Sequence, residues 1–378
     1  MKYPKLFIPG PSHVPKEVLE SLSKSQIGHR TPEFSDLFKS VIEGIQEILY
    51  TKNRIFLASH AATGLWELSL RNSVTKKSKI LHAVNGAFSN KWSIVSKNCG
   101  FKYHTVDKKW CKGIHPHDID SELATGKYDI FCMVHNETST GAMSNLDLIS
   151  KLLRDKYPNI LWMVDAVSSM AGSKIEVDKL GIDFLFASTQ KAWGLPPGFS
   201  IFTVSNRLME RSRNIQNKGY FFDLEIYDKY FKNWQTPVTP SIPHIFGLKE
   251  VIRIIKAEGI ENRWERHKNS AKFVRNWVSN RNQGLFPEND CFSNTLTCVK
   301  NEQHWDINKI SEKLLDRGYR MDRGYGKLRG KTFRIPHMGN LKLTDIDDFL
   351  NNSSIVFKLK FFNSTNSKYP GFACVFKI

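Results

Sequence analysis

A chain of 378 residues with 40% hydrophobic content is long enough to bury a large core and to divide into about two domains of ordinary size. Fifty-five Lys and Arg against thirty-seven Asp and Glu leave a formal charge of +18, but the basic residues are dispersed and form no long block. That argues against a nucleic-acid partner and leaves a positive field that would draw small anions toward a cleft. No apolar run reaches the length of about 18 residues that spans a bilayer, and the amino terminus lacks the charged, apolar and small-residue succession of a signal peptide. A cytoplasmic protein with no membrane partner is expected. Cys99, Cys111, Cys132, Cys291, Cys298 and Cys374 are scattered, without paired or His/Cys metal spacing, so reduced thiols and no metal site are expected.

Short apolar strands alternate with helical stretches through the first half. The pattern predicts strands at 55–58, 79–84, 101–106, 129–134, 160–164, 183–187 and 200–204, and helices at 64–72, 87–97, 118–124, 146–156 and 206–213. Such alternation implies an α/β fold whose mostly parallel seven-stranded sheet is covered on both faces, with ligands at the carboxyl ends of the strands. From Ile242 a long helical pattern runs through Leu248, Val251, Ile255, Trp264, Phe273 and Trp277, broken near Gly259. Beyond it, strands at 294–299 and 331–335 and helices at 307–317 and 344–350 predict a smaller C-terminal α+β domain. The chain therefore divides into an N-terminal segment (1–15), a large domain (16–255), a small domain (256–350) and a tail (351–378) that reads as a strand pair or a poorly ordered end.

Two residues carry the chemistry. Lys191 follows an apolar strand in a turn braced by Gly194, Pro196, Pro197 and Gly198, and Asp165 ends another strand. A lysine that must form an imine needs a partly desolvated pocket, and a pyridine nitrogen needs an acidic partner to stay protonated, so the pair reads as a pyridoxal phosphate (PLP) site. Taken singly, each has a blander reading: a surface lysine, and an aspartate that caps a helix. Residues 59–64, Ser-His-Ala-Ala-Thr-Gly, lie between a strand and a helix and offer backbone N–H groups and hydroxyls to a phosphate.

With Pro9-Gly10-Pro11, Gly28-His29-Arg30-Thr31-Pro32-Glu33-Phe34, His135-Asn136-Glu137-Thr138-Ser139-Thr140-Gly141 and Lys331-Thr332-Phe333-Arg334-Ile335, these motifs resemble, in order over residues 7–350, the class V aminotransferases of PLP fold type I. The resemblance implies that Lys191 forms the internal aldimine and moves the substrate Cα proton, and that Asp165 pairs with the ring nitrogen while Val167 packs under the ring. It implies that Ala62, Thr63 and Gln190 hold the phosphate, that Phe88 stacks on the cofactor, and that Thr138 bonds near its 3′-oxygen. Thr236 and Thr239 match positions donated by a second subunit, which implies a homodimer with shared sites. Arg334 matches the residue for the substrate α-carboxylate, and His29 and Arg30 the segment lining the substrate mouth, with Arg329 and His337 as nearby candidates. Alanines at 61 and 62 depart from the glycine-rich form of the phosphate loop. The implied activity is ping-pong transamination from a small amino acid (phosphoserine, serine, alanine or aspartate) to a 2-oxo acid such as glyoxylate or pyruvate. A desulfurase or lyase of the same fold would want a reactive cysteine near the cofactor, and Cys291 and Cys298 lie in no recognisable loop motif. A non-catalytic PLP-fold binding protein is the remaining alternative.

Overall fold

The computed structural model describes residues 3–358. Strands β1 (Arg54–Ala58), β2 (Ile80–Val84), β3 (Tyr103–Asp107), β4 (Ile130–Val134), β5 (Leu161–Asp165), β6 (Phe184–Ser188) and β7 (Ser200–Val204) form one sheet in the order β1-β7-β6-β5-β4-β2-β3. Every neighbouring pair is parallel except the two that β7 makes with β1 and β6. The fold is α/β with the seven strands near their predicted positions. Strands buried on both faces read as continuous apolar runs, and β2, β4, β5, β6 and β7 are buried at every residue. β3, at the sheet edge, is partly exposed and carries His104 and Asp107, polar side chains that discourage pairing with another strand.

Each central strand feeds two apolar layers, because successive side chains point to opposite faces. On β6, Leu185 and Ala187 join one layer with Phe38, Ile45 and Val251, while Phe184 and Phe186 join the other with Leu65, Trp92 and Phe202. The helix Pro32–Leu49 supplies much of the first layer through Phe34, Leu37, Phe38, Val41, Ile42 and Ile45. This helix lies outside the predicted set, although Pro32 at its first position and the three-to-four spacing of its apolar residues both signal it. Helices Lys16–Leu22 and Leu224–Phe231 also lie outside that set.

A further core gathers Phe7, Val274, Trp277, Val299, Leu314, Phe333 and Phe349 around the antiparallel strands Leu296–Lys300 and Thr332–Pro336. The short strand Lys5–Phe7 pairs in parallel with Tyr319–Met321, and Phe7 stacks on Phe349 at 4.1 Å. The amino terminus is thus built into the C-terminal unit. Helix Leu343–Val356 runs past residue 350 into the predicted tail. Its Asn-Asn-Ser-Ser run has weak helix propensity, but Ser353 and Ser354 return their hydroxyls to the carbonyls of Phe349 and Leu350, and Phe357 buries against Trp305 and Phe333. The rest of that tail lies outside the described residues. Among those described, no helix is long and apolar enough to cross a membrane.

Candidate active site

The carboxyl ends of β4, β5 and β6 converge on a cavity of about 140 Å³ whose lining includes Val134, Asp165 and Ser188 from those ends. Lys191, three residues beyond β6, also lines it. Its loop is pinned from the amino terminus: the Ser12 N–H donates to the Gln190 carbonyl at 2.9 Å and the Ser12 hydroxyl to the Lys191 carbonyl at 2.8 Å. The amine Nζ donates to the Pro9 carbonyl. Gly10 has φ +134°, and a Cβ there would fall 2.6 Å from Nζ, so this segment can lie over the amine only without a side chain at residue 10. Burial lowers the Lys191 amine to about 8, the Arg334 charge adds to the effect, and Asp165 opposes it.

Asp165 ends β5. Its Oδ2 accepts the Trp66 indole N–H at 2.8 Å and its Oδ1 the Val167 N–H at 2.9 Å. Burial raises the acid to about 7 against the pull of those two hydrogen bonds. β5 stops here, so Val167 lines the cavity through the turn that Asp165 closes and not by continued strand alternation. Thr63 begins helix Thr63–Arg71, and Ala62 before it has helical angles with no side-chain cap. Alanine tolerates that geometry, and the helix start leaves N–H groups for an anion.

Phe88 and Thr138 complete the lining with Gln190. The helix Ala87–Asn98 is held at its start by Glu137, a fully buried acid that accepts the N–H groups of Phe88 and Ser89 at 3.2 and 2.9 Å. Tyr325 stacks on Phe88 with centroids 5.0 Å apart and accepts a hydrogen bond from Lys91 at 2.6 Å. Arg334 is buried on strand Thr332–Pro336. Its Nη1 donates to the Thr138 carbonyl at 2.8 Å, and its Nε and Nη2 donate to Asp322 at 2.9 and 2.6 Å.

Eight predicted cofactor residues therefore share one cavity: Ala62, Thr63, Phe88, Thr138, Asp165, Val167, Gln190 and Lys191. They fit PLP: a buried amine for its aldehyde, a buried acid for its ring nitrogen, apolar walls for its ring and an uncapped helix start for its phosphate. His29, Arg30, Thr236 and Thr239 lie apart from this lining and cluster with one another. Arg30 donates to the Thr236 carbonyl at 2.7 Å and covers the Tyr230 ring, while His29 Nε2 lies 3.5 Å from the Thr239 hydroxyl. Arg329 is exposed. His337 is excluded as a ligand group, because Thr297 and Asn294 engage both its ring nitrogens. Sequence reasoning missed Trp66, Glu137, Asp322 and Tyr325. Glu137 stood inside the quoted run 135–141, but a tryptophan one helical turn into an apolar helix gives no sign that its N–H meets an acid.

The family model for Aminotransferase class-V matches residues 6–321. The chain is 31% identical to the serine–glyoxylate aminotransferase of Arabidopsis thaliana over 345 residues, covering 89% of this chain and 86% of that one. It is 32% identical to the L-aspartate–glyoxylate aminotransferase of Paracoccus denitrificans, covering 89% and 86%. The crystal structure of an alanine–glyoxylate aminotransferase from Nostoc superposes with TM-score 0.89 at 27% identity, covering 94% of this chain and 96% of that one. A family match over most of the chain, on a fold that brings a buried lysine and aspartate into one cavity, makes this chain a member of the class V aminotransferases, PLP-dependent transaminases of fold type I.

Proposed function

We propose that the chain moves the amino group of a small neutral amino acid, serine or alanine, to glyoxylate. The observation that carries this reading is the charge around the reacting amine: Lys191 is the one cation among the lining residues of the cavity. A phosphorylated donor would need several cations for its phosphate beyond Arg334, which serves the α-carboxylate and whose charge Asp322 already balances. The serine-, aspartate- and alanine-utilising relatives share glyoxylate in their names, which supports that acceptor.

When bound, PLP supplies an aldehyde carbon for the substrate amine and a protonated ring nitrogen that withdraws electrons. Asp165, oriented by the Trp66 and Val167 N–H groups, would hold that nitrogen protonated as a carboxylate. Lys191 would take the proton from substrate Cα and hold it at Nζ for redelivery to the carbon that had been the cofactor's aldehyde, a task suited to an amine that burial has lowered to about 8. Arg334 binds the α-carboxylate and so selects which Cα bond faces Lys191. Ala62, Thr63 and Gln190 would hold the phosphate, and Phe88 and Val167 would keep water from the reacting atoms. Two copies of the chain form the working unit, the cluster of His29, Arg30, Thr236 and Thr239 of one copy completing the site of the other. The exposed Tyr220 and Phe221 support a partner against that face. A thiol-based lyase is disfavoured, since burial pushes the Cys291 and Cys298 thiols up to about 11 and 12.

The test is a pair of half-reactions on the loaded protein. L-serine or L-alanine is expected to bleach the visible absorbance of the bound cofactor and release its 2-oxo acid, and glyoxylate to restore the band. Bleaching by phosphoserine alone, or restoration by pyruvate but not glyoxylate, would overturn the assignment.

A further inference from the structure

Asp322 follows strand Tyr319–Met321 and is buried against Arg334, with side-chain exposures of 10% and 7%. Its Oδ1 accepts three N–H groups: the backbone of Gly324 at 2.8 Å, the backbone of Arg334 at 3.1 Å and Arg334 Nε at 2.9 Å. Its Oδ2 accepts Nη2 at 2.6 Å. Two backbone donors hold the carboxylate, so the acid is the anchored member of the pair and the guanidinium is aligned on it. A guanidinium has five N–H bonds in a fixed plane. Asp322 takes one from Nε and one from Nη2, and the Thr138 carbonyl takes one from Nη1. One hydrogen is left on each terminal nitrogen.

We propose that Asp322 is a positioning residue: it occupies the Nε/Nη2 side of Arg334 and presents the two terminal nitrogens as a fork to the carboxylate of the substrate. This rests on Arg334 as the carboxylate site, proposed above. The benefit is preorganisation, because a guanidinium already fixed by Asp322 and Thr138 loses little further freedom when it binds a carboxylate. There is also a consequence for selectivity. Asp322 balances the charge of Arg334, so the fork acts through direction more than through net attraction. A donor with a second acidic group finds no uncompensated arginine beside it, and monocarboxylates are favoured.

The proposal is tested on the cofactor-loaded protein by calorimetric titration with sodium acetate, which carries a carboxylate and no amine and so cannot react. Wild type, Arg334→Ala, Asp322→Ala and Asp322→Asn are compared, together with KM and kcat for the amino donor. Asp322→Ala is expected to weaken acetate about tenfold and to raise KM by a similar factor while kcat changes far less. Asp322→Asn keeps the anchored oxygen but offers Nη2 a donor, so its effect should lie between; it carries the test if the alanine variant does not fold. Acetate held as tightly or more tightly by the Asp322 variants would overturn the proposal, since the acid would then be a bystander or a competitor. A fall in kcat alone would show a merely structural role and overturn it as well. Wild-type acetate affinity in Arg334→Ala would instead sink the assignment of Arg334 itself, which separates the two failures.

Discussion

Burial acts against the charged forms of both Asp165 and Lys191, with opposite consequences for pH. An acid raised to about 7 contributes stability that is complete below its ordinary range near 4 and is lost as pH rises through about 7. An amine lowered to about 8 contributes stability that is complete above its ordinary range and is lost as pH falls through about 8. In the cofactor-free protein, Asp165→Asn should therefore leave the melting temperature unchanged near pH 4 and raise it near pH 8, by an amount equivalent to at most about 4 kcal/mol. Calorimetry across that range decides it, and equal melting temperatures at the upper end would contradict the burial argument. The same variant, once loaded, should lose most turnover, because an amide cannot hold the ring nitrogen protonated. Trp66→Phe removes one of the two N–H donors that favour the carboxylate. Its expected cost is about 1–3 kcal/mol of stabilisation of the charged form, read as an upward move of the acid limb of the rate profile. Asp165 and Lys191 were legible in the sequence because the first ends a recognisable strand and the second follows one in a Gly/Pro-braced turn. Trp66 and Asp322 were not, because they act through partners 99 and 12 residues away, respectively, and single-chain periodicity carries no record of such pairings.

At the scale of elements, the central strands were readable because burial on both faces makes each a short apolar run bounded by turn residues. Elements outside the strand alternation were harder to read for separate reasons. Helix Pro32–Leu49 went unread although its apolar stripe is regular, and helix Leu343–Val356 was ended early because asparagine and serine suppress a propensity that packing of Phe357 restores. The three-residue pair of Lys5–Phe7 with Tyr319–Met321 is too short to show a period at all. The loop entering helix Thr63–Arg71 was placed correctly because a strand, a small-residue turn and a helix follow one another there. A substitution in the amino-terminal segment tests how closely elements meet at the site. Gly10→Ala combines a left-handed backbone angle with a Cβ 2.6 Å from the Lys191 amine, so it should abolish covalent attachment of the cofactor while far-ultraviolet dichroism stays that of the wild type. Normal loading measured by visible absorbance would show that the segment moves aside at no cost.

For the whole molecule, the proposed sharing of one site between two copies makes a complementation test. Mixing Lys191→Ala protein with Thr239→Ala protein, each inactive alone, should restore roughly a quarter of the sites if the two residues serve one site across an interface and subunits exchange freely. Light scattering that gives a monomeric mass, or no recovery on mixing, would remove the shared site. Residues 29, 30, 236 and 239 could be grouped from the sequence only through family resemblance. No spacing rule connects segments two hundred residues apart, yet the fold brings them to one cluster.

The path of the first dozen residues carries a mechanical implication. Lys5–Phe7 is a strand of the C-terminal unit, while Pro9 and Ser12, only a few residues on, touch the amine and the backbone of residue 191. So short a tether has no slack, so displacement of the C-terminal unit pulls directly on the cover over the reactive nitrogen. Exposure of that nitrogen to an incoming ligand is then geared to the posture of the protein's other end.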